Sequence, residues 1–330
     1  MYEMRRRDFI TLLSSSAVAW PLGAVAQSPP KRPLVAYLGA STQTFSAGIV
    51  GPFMQGMREL GYVEGNNFDI VYRYSEGYQD KLPTLAQELV QLKPNVIVAS
   101  AMISAVAAKN ATSTIPIVSP GLADAVRLGL IASEARPGGN VTGLEPYVAG
   151  LPAKQMELAR EIVPRAIRVG LLTDVKDQKV IPQIHELEVA GRALEVTVVA
   201  ADASRPEEID GALQTLANEH VEVVIVLQTS MLVSESQRIA TLALAKKLPT
   251  VYGYREHVVA GGLISYGVDL RWTFHRSAYF VDKILHGATP SDLPVEFPTK
   301  MWLAANFKTA RALGITVPQT LLVRADEVIE

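Results

Sequence analysis

From residue 34 onward, short unbroken apolar runs alternate with longer stretches in which apolar residues recur every three or four positions. Runs at 34–38, 96–99 and 115–118 fit strands buried on both faces, and 68–74 alternates as a half-covered strand does. Between them, 46–60, 80–92 and 104–111 carry a helical period. In the second of these, Leu82, Leu85, Ala86, Leu89 and Val90 fall on one side. The turn Pro137-Gly138-Gly139-Asn140 interrupts the pattern, which then restarts. Strands are predicted at 169–172, 195–199, 223–227 and 250–252, and helices at 152–162, 180–193, 206–219 and 234–246. Alternation of this kind predicts parallel sheets covered by helices on both faces. Its repetition on either side of residue 145 predicts two similar α/β lobes. A helix at 273–286 and a strand–helix unit at 300–313 are too little for a third lobe. They are expected to complete the first two. The expected N-terminal lobe is 31–145 plus 265–292, and the C-terminal lobe 146–264 plus 293–330. Repeated chain crossings between lobes make a hinge.

The start of the chain reads as an address. Arg5, Arg6 and Arg7 precede Asp8, Phe9 and Ile10, and a weakly apolar stretch runs to Ala24-Val25-Ala26. A positive start, an apolar middle and a small-x-small end make a cleavable export signal. The Arg-Arg-Asp-Phe-Ile order resembles a twin-arginine signal, with general secretion or an uncleaved anchor as alternatives. Residues 1–26 are therefore expected to be removed and the rest to work outside the cytoplasm. The sequence has no cysteine. Disulfides, thiolate metal sites, a cysteine nucleophile and a lipidated N-terminal cysteine are thus excluded. A freely diffusing periplasmic protein, expected to be a monomer, fits best.

Charge removes one class of function. Thirty-one Lys and Arg stand against 33 Asp and Glu, a net charge of −2, where nucleic-acid binders carry a basic excess. Catalytic signals are poor as well. No phosphate loop and no G-x-G-x-x-G follows a strand. Ser265 sits in a segment that resembles a nucleophile elbow, but Leu263 occupies a glycine position. His185, His220, His257, His275 and His286 are unpaired at metal spacing, so no metal and no cofactor is expected.

Ligands of parallel sheets collect at the carboxyl ends of the strands. Those ends read Ala40-Ser41-Thr42, Ser100-Ala101-Met102, Ser119-Pro120-Gly121, Thr173-Asp174, Gln228-Thr229-Ser230 and Gly253-Tyr254. Hydroxyls and helix N-termini suit a carboxylate, although Ser and Thr there also cap helices. Ser41, Thr42 and Ser100 are candidates for an anionic end of a ligand. Asp124 and Asp174 are candidates for a cationic end, or equally for helix caps. Tyr147, Tyr254 and Tyr266 offer a flat apolar face with one polar tip. Gln228 and Thr229 are candidate contacts from the second lobe. Phe45 and Tyr252 also fall at strand–helix junctions.

Five segments carry a family likeness. They are Gln55-Gly56-Met57-Arg58-Glu59-Leu60-Gly61-Tyr62-Val63-Glu64-Gly65-Asn66-Asn67, Leu92-Lys93-Pro94-Asn95-Val96-Ile97, Ala135-Arg136-Pro137-Gly138-Gly139-Asn140-Val141-Thr142-Gly143, Ala260-Gly261-Gly262-Leu263-Ile264-Ser265-Tyr266-Gly267 and Leu322-Val323-Arg324-Ala325-Asp326-Glu327-Val328-Ile329. With these the chain resembles the substrate-binding proteins of ABC transporters, of the tryptophan/tyrosine type. The resemblance implies a type I periplasmic-binding-protein fold, with two Rossmann-like lobes on a three-segment hinge that closes on a ligand. It implies a permease and ATPase as partners and an aromatic amino acid or related carboxylate as ligand. The family's small pair after the third strand is replaced here by Ser100-Ala101, and proline after the acid by Ala125. A module feeding a membrane sensor, or an exported enzyme on the same scaffold, are the competing readings.

Overall fold

A computed structural model of the chain describes residues 32–330, of which Pro33–Glu330 form one compact unit. The expected export signal lies outside the described residues. The first sheet holds β1 (Leu34–Gly39), β2 (Asp69–Tyr74), β3 (Val96–Ala99), β4 (Ile117–Ser119) and β5 (Val141–Gly143). They run parallel in the order β2-β1-β3-β4-β5. Helices α1 (Gln43–Glu59), α2 (Leu82–Gln91) and α3 (Met102–Ala111) connect the first four strands.

The second sheet has seven strands: β6 (Arg168–Thr173), β7 (Thr197–Asp202), β8 (Val223–Val226), β9 (Thr250–Tyr252), β10 (Ile264–Gly267), β11 (Trp302–Asn306) and β12 (Glu327–Ile329). Only β10 and β11 pair antiparallel. Its helices include α4 (Leu151–Ile162), α5 (Val180–Ala193), α6 (Ile209–Asn218), α7 (Ser230–Ser234), α8 (Ser236–Ala245) and α9 (Arg255–Val259). After β10 comes α10 (Leu270–Leu285), and after β11 come α11 (Phe307–Leu313) and α12 (Gln319–Arg324).

The central strands of both sheets are buried on both faces, which explains their continuous apolar runs. In β1, Ala36 and Leu38 pack under α2 and α3 beside Ala86, Leu89, Ala105 and Ala108. The alternate residues Val35 and Tyr37 pack under α1 and α10 beside Phe53, Met57, Phe274 and Val281. In β6, Val169 and Leu171 meet Met156 and Leu187, while Leu172 meets Leu213 and Ile239 on the other side. Each fully buried side chain of this size stabilises the fold by about 1.5–3 kcal/mol.

Helix α1 shows the local logic. Thr42 caps it by accepting the Phe45 N–H. Ile49, Val50, Phe53 and Met57 form its buried stripe, and Gly61 at φ 89° ends it. Gly56 lets α10 come close: a Cβ there would lie 2.6 Å from the His275 carbonyl oxygen. Gly143, at φ 145°, ends β5 where a Cβ would lie 1.9 Å from the Ser119 oxygen.

The chain crosses between the sheets three times. It leaves β5 for α4, leaves β10 for α10, and returns to β11 from a segment held on the first sheet's edge. That segment is fixed by Thr142 Oγ1 donating to Leu293 O at 2.7 Å and by Glu296 N donating to Gly143 O at 3.0 Å. Ser265, Tyr266 and Gly267 therefore belong to the second sheet, and Leu293–Glu296 to the edge of the first. The crossings fall a few residues later than 265 and 293. The helix expected at 234–246 is α8, and the short α7 precedes it, separated by Glu235. The segment noted for elbow-like spacing is β10, with Ser265 inside the strand.

Candidate functional site

The carboxyl ends of the two sheets face one another, and the lobes touch there. Ser41 Oγ donates to Ser230 O at 3.2 Å, joining the end of β1 to the end of β8. Gln79 Nε2 of the first lobe donates to Asp174 Oδ2, after β6, at 2.5 Å. The space enclosed between them is about 30 Å³. That is room for one or two water molecules, so this is a closed arrangement.

The lining of this cavity is mixed. Its apolar part is Phe45 and Ile49 from α1, Leu270 and Phe274 from α10, and Val233 from α7, with Tyr254 packed in the same cluster. The first lobe also gives Ser100 and Ala101 after β3, Pro120 and Gly121 after β4, and Pro146 lies in the first crossing. The second lobe adds Lys179, Thr229 and Ser230. Lys179 is only 7% exposed. Burial works against its charge, but Tyr254 and Asp177 beside it more than offset this, so its pKa stays above the ordinary lysine value. A neighbouring open groove of about 380 Å³ shares Phe45 and Ile49 and carries Arg255, Glu256 and Arg271.

Of the residues singled out in the sequence, the structure brings Ser100, Thr229 and Tyr254 into the cavity wall. Ser41 lies beside them in the inter-lobe contact. Thr42 serves as the cap of α1. Gln228 sits behind the wall: its backbone N–H donates to Gln183 Oε1 at 3.0 Å and its Nε2 to Gly253 O at 3.3 Å. Asp174 is fully buried in the lobe interface, where Oδ1 also accepts the Lys176 N–H. Burial first, and Asp177 second, push its pKa up to about 6.

The other three residues stand away from the cavity. Asp124 occupies a turn at φ 53°, ion-paired with Arg127, while its N–H donates to Glu145 Oε1 at 2.5 Å. Tyr147 donates its hydroxyl to Glu186 Oε1 at 2.6 Å, and Glu186 Oε2 accepts the Gly150 N–H at 2.8 Å. This pins the first crossing to α5. Burial, then Glu186, raises the Tyr147 pKa. Tyr266 lines a different crevice with Leu158, Glu161 and Arg324. His257, also fully buried, stacks on Tyr252 at 4.4 Å, and burial lowers its pKa to about 3, so it stays neutral.

A family model described as ABC transporter substrate binding protein matches residues 45–329. The chain belongs to that family. This substrate-binding protein is 26% identical over 263 residues to a tyrosine-binding protein of Clostridioides difficile (strain R20291), covering 80% of this chain and 75% of that one. The structure of an ABC domain in complex with L-Trp from Streptococcus pneumoniae superposes with a TM-score of 0.83 at 24% identity, over 90% of this chain and 100% of the other. The leucine-binding protein LivK of Thermotoga maritima superposes at 0.57 with 13% identity, over 86% and 87% of the two chains. The fold of this substrate-binding protein is therefore that of the type I periplasmic binding proteins. Its function is that of the ligand-binding receptor of an ABC transporter.

Proposed function

We propose that this receptor binds a small amphipathic solute, an aromatic amino acid or related carboxylate, between its lobes. The observation that carries the reading is the mixed lining of the cavity between the lobes. Phe45 and Phe274 offer aromatic faces, and Ser100, Lys179, Thr229 and Tyr254 offer polar groups in the same lining. The likeness to a tyrosine-binding relative supports an aromatic solute. Binding begins in an open form, and closure about the three crossings buries the solute. The lobes move as 33–145 with 269–296, and 146–268 with 297–330. A membrane permease with its ATPase recognises the closed form, and the solute leaves unchanged, with no catalytic step. We place the receptor in the periplasm as a monomer, delivered by the twin-arginine-like signal at residues 1–26 and cleaved near Ala26.

A thermal-shift screen against amino acids, aromatic acids and small carboxylates tests this. A ligand at 100 times its dissociation constant adds about 2.7 kcal/mol of stability, a shift of several degrees. Scattering measurements on a hit should show contraction of the molecule. Stabilisation without contraction, or no stabilisation by any aromatic compound, overturns the reading.

A further inference from the structure

We infer that the protein carries a second small-molecule site, at the hinge, which takes a neutral aromatic compound of one or two rings. This site is separate from the cleft and does not depend on what the cleft binds.

A pocket of about 130 Å³ lies between the second and third crossings. Its lining comes from both. Val268, Asp269 and Trp272 belong to the passage from β10 into α10, and Pro298, Lys300 and Trp302 to the approach to β11. It shares no lining residue with the cleft cavity or with the open groove beside it.

Two of the chain's three tryptophans meet in this pocket. Trp272 stands on α10, the helix that covers the first sheet, and is 39% exposed. Trp302 opens β11 in the second sheet and is half-buried. Thirty residues apart in the chain, they are brought together by the hinge and not by local structure. A concavity that keeps indole surface in contact with water gains when an apolar occupant displaces that water. Its volume is close to the roughly 150 Å³ of a dry apolar cavity that takes up benzene. Aromatic rings against these indoles gain a further increment beyond the area they cover.

The charges of the lining already have partners. Lys300 Nζ pairs with Asp326 at 2.8 Å and lies 4.6 Å from the centroid of the Trp302 ring. Asp269 holds the Arg271 guanidinium on both carboxylate oxygens, each at 3.0 Å. A carboxylate or ammonium on the occupant would find no free counter-ion among these residues. The pocket thus selects for ring surface and not for charge.

Indole is the probe, titrated into the full chain by calorimetry. Covering one or two rings predicts a dissociation constant of about 0.1–1 mM. Indole-3-acetate and tryptamine, which each add a charge, should bind no more tightly than indole. Hydrogen exchange locates the site: at saturation, amides in both 268–272 and 298–302 should slow. Trp272→Ala should weaken indole at least about fivefold, and Trp272→Phe should keep most of the affinity. The exchange map is read on the parent chain, so it decides even if Trp272→Ala fails to fold. No saturable indole binding overturns the inference. So does protection in the cleft segments 45–49 and 229–233 without protection in both hinge segments, or parent affinity in Trp272→Ala. A charged analogue binding at least about tenfold more tightly than indole overturns the neutral class.

Discussion

Acid should close this molecule, and Asp174 is the reason. Its carboxyl is fully buried where the lobes meet and receives Gln79 Nε2 across the interface. Burial and Asp177 push its pKa from 3.8 to about 6. Opening the cleft hydrates the carboxyl and returns it toward the ordinary value. Above pH 6 the group is ionised in both forms, and the closed form bears the whole burial cost. Between about 6 and 4 the closed form holds a proton that the open form releases, so closure gains as pH falls. Going from pH 7 to pH 5, a fall from about 6 toward the ordinary value on opening gives on the order of 1 kcal/mol toward the closed form, several-fold in the closed-to-open ratio. The same sign applies to folding: this group lowers stability above its raised pKa, and the loss is relieved on acidification. Because the chain has no cysteine, Gln91→Cys and Gly211→Cys give a clean labelling pair, one on each lobe. Energy transfer between labels should rise from pH 7 to pH 5 in the parent protein and stay flat in Asp174→Asn. An Asp174→Asn protein that titrates like the parent refutes the reasoning.

Three further outcomes follow from particular contacts. Gly143→Ala forces a side chain into a positive-φ site 1.9 Å from the Ser119 oxygen, and should cost at least about 3 kcal/mol in denaturant melts. Gly211→Ala, exposed in α6 with nothing within 4 Å of its new Cβ, should instead gain about 0.5–1 kcal/mol. Glu186→Ala frees both the Tyr147 hydroxyl and the Gly150 N–H, and should lose about 1–3 kcal/mol with faster hydrogen exchange at the Gly150 amide.

The elements that sequence reading found are those whose burial is two-sided and long. Strands such as β1, β3 and β8 announce themselves because neither face meets water. The strands it passed over, β5, β10 and β12, are three or four residues each and are defined by pairing with distant partners. The break between α7 and α8 is set by the backbone of Glu235, which no hydrophobic period reports. At the site, hydroxyls at strand ends were legible because topology alone brings those ends together. Lys179 was not, since lysine is exposed by default and only the folded chain shows this one buried beside Tyr254 and Asp177. Apolar α10 residues such as Phe274 read as core, and only the folded chain shows that the same face also borders the cleft. Tyr266 was displaced by period-two alternation: it packs with the cluster beneath α4, turned from the sheet's end.

Helix α10 has a consequence for the order in which the chain can fold. It lies between two strands of the second sheet, yet its Phe274, Ala278 and Val281 join Phe53 and Met57 of α1 in covering the face of the first sheet that carries Val35 and Tyr37. A growing polypeptide that has completed all five strands of the first sheet still leaves part of that face, and the flank of α1, open to water. It stays open until residue 285 has been made, by which time most of the second sheet exists. The two lobes are thus coupled in folding as well as in closure. Their contacts span long sequence separations, which slows folding and prolongs the exposure of apolar surface. Truncation before residue 270 should yield not a smaller working lobe but an aggregating one.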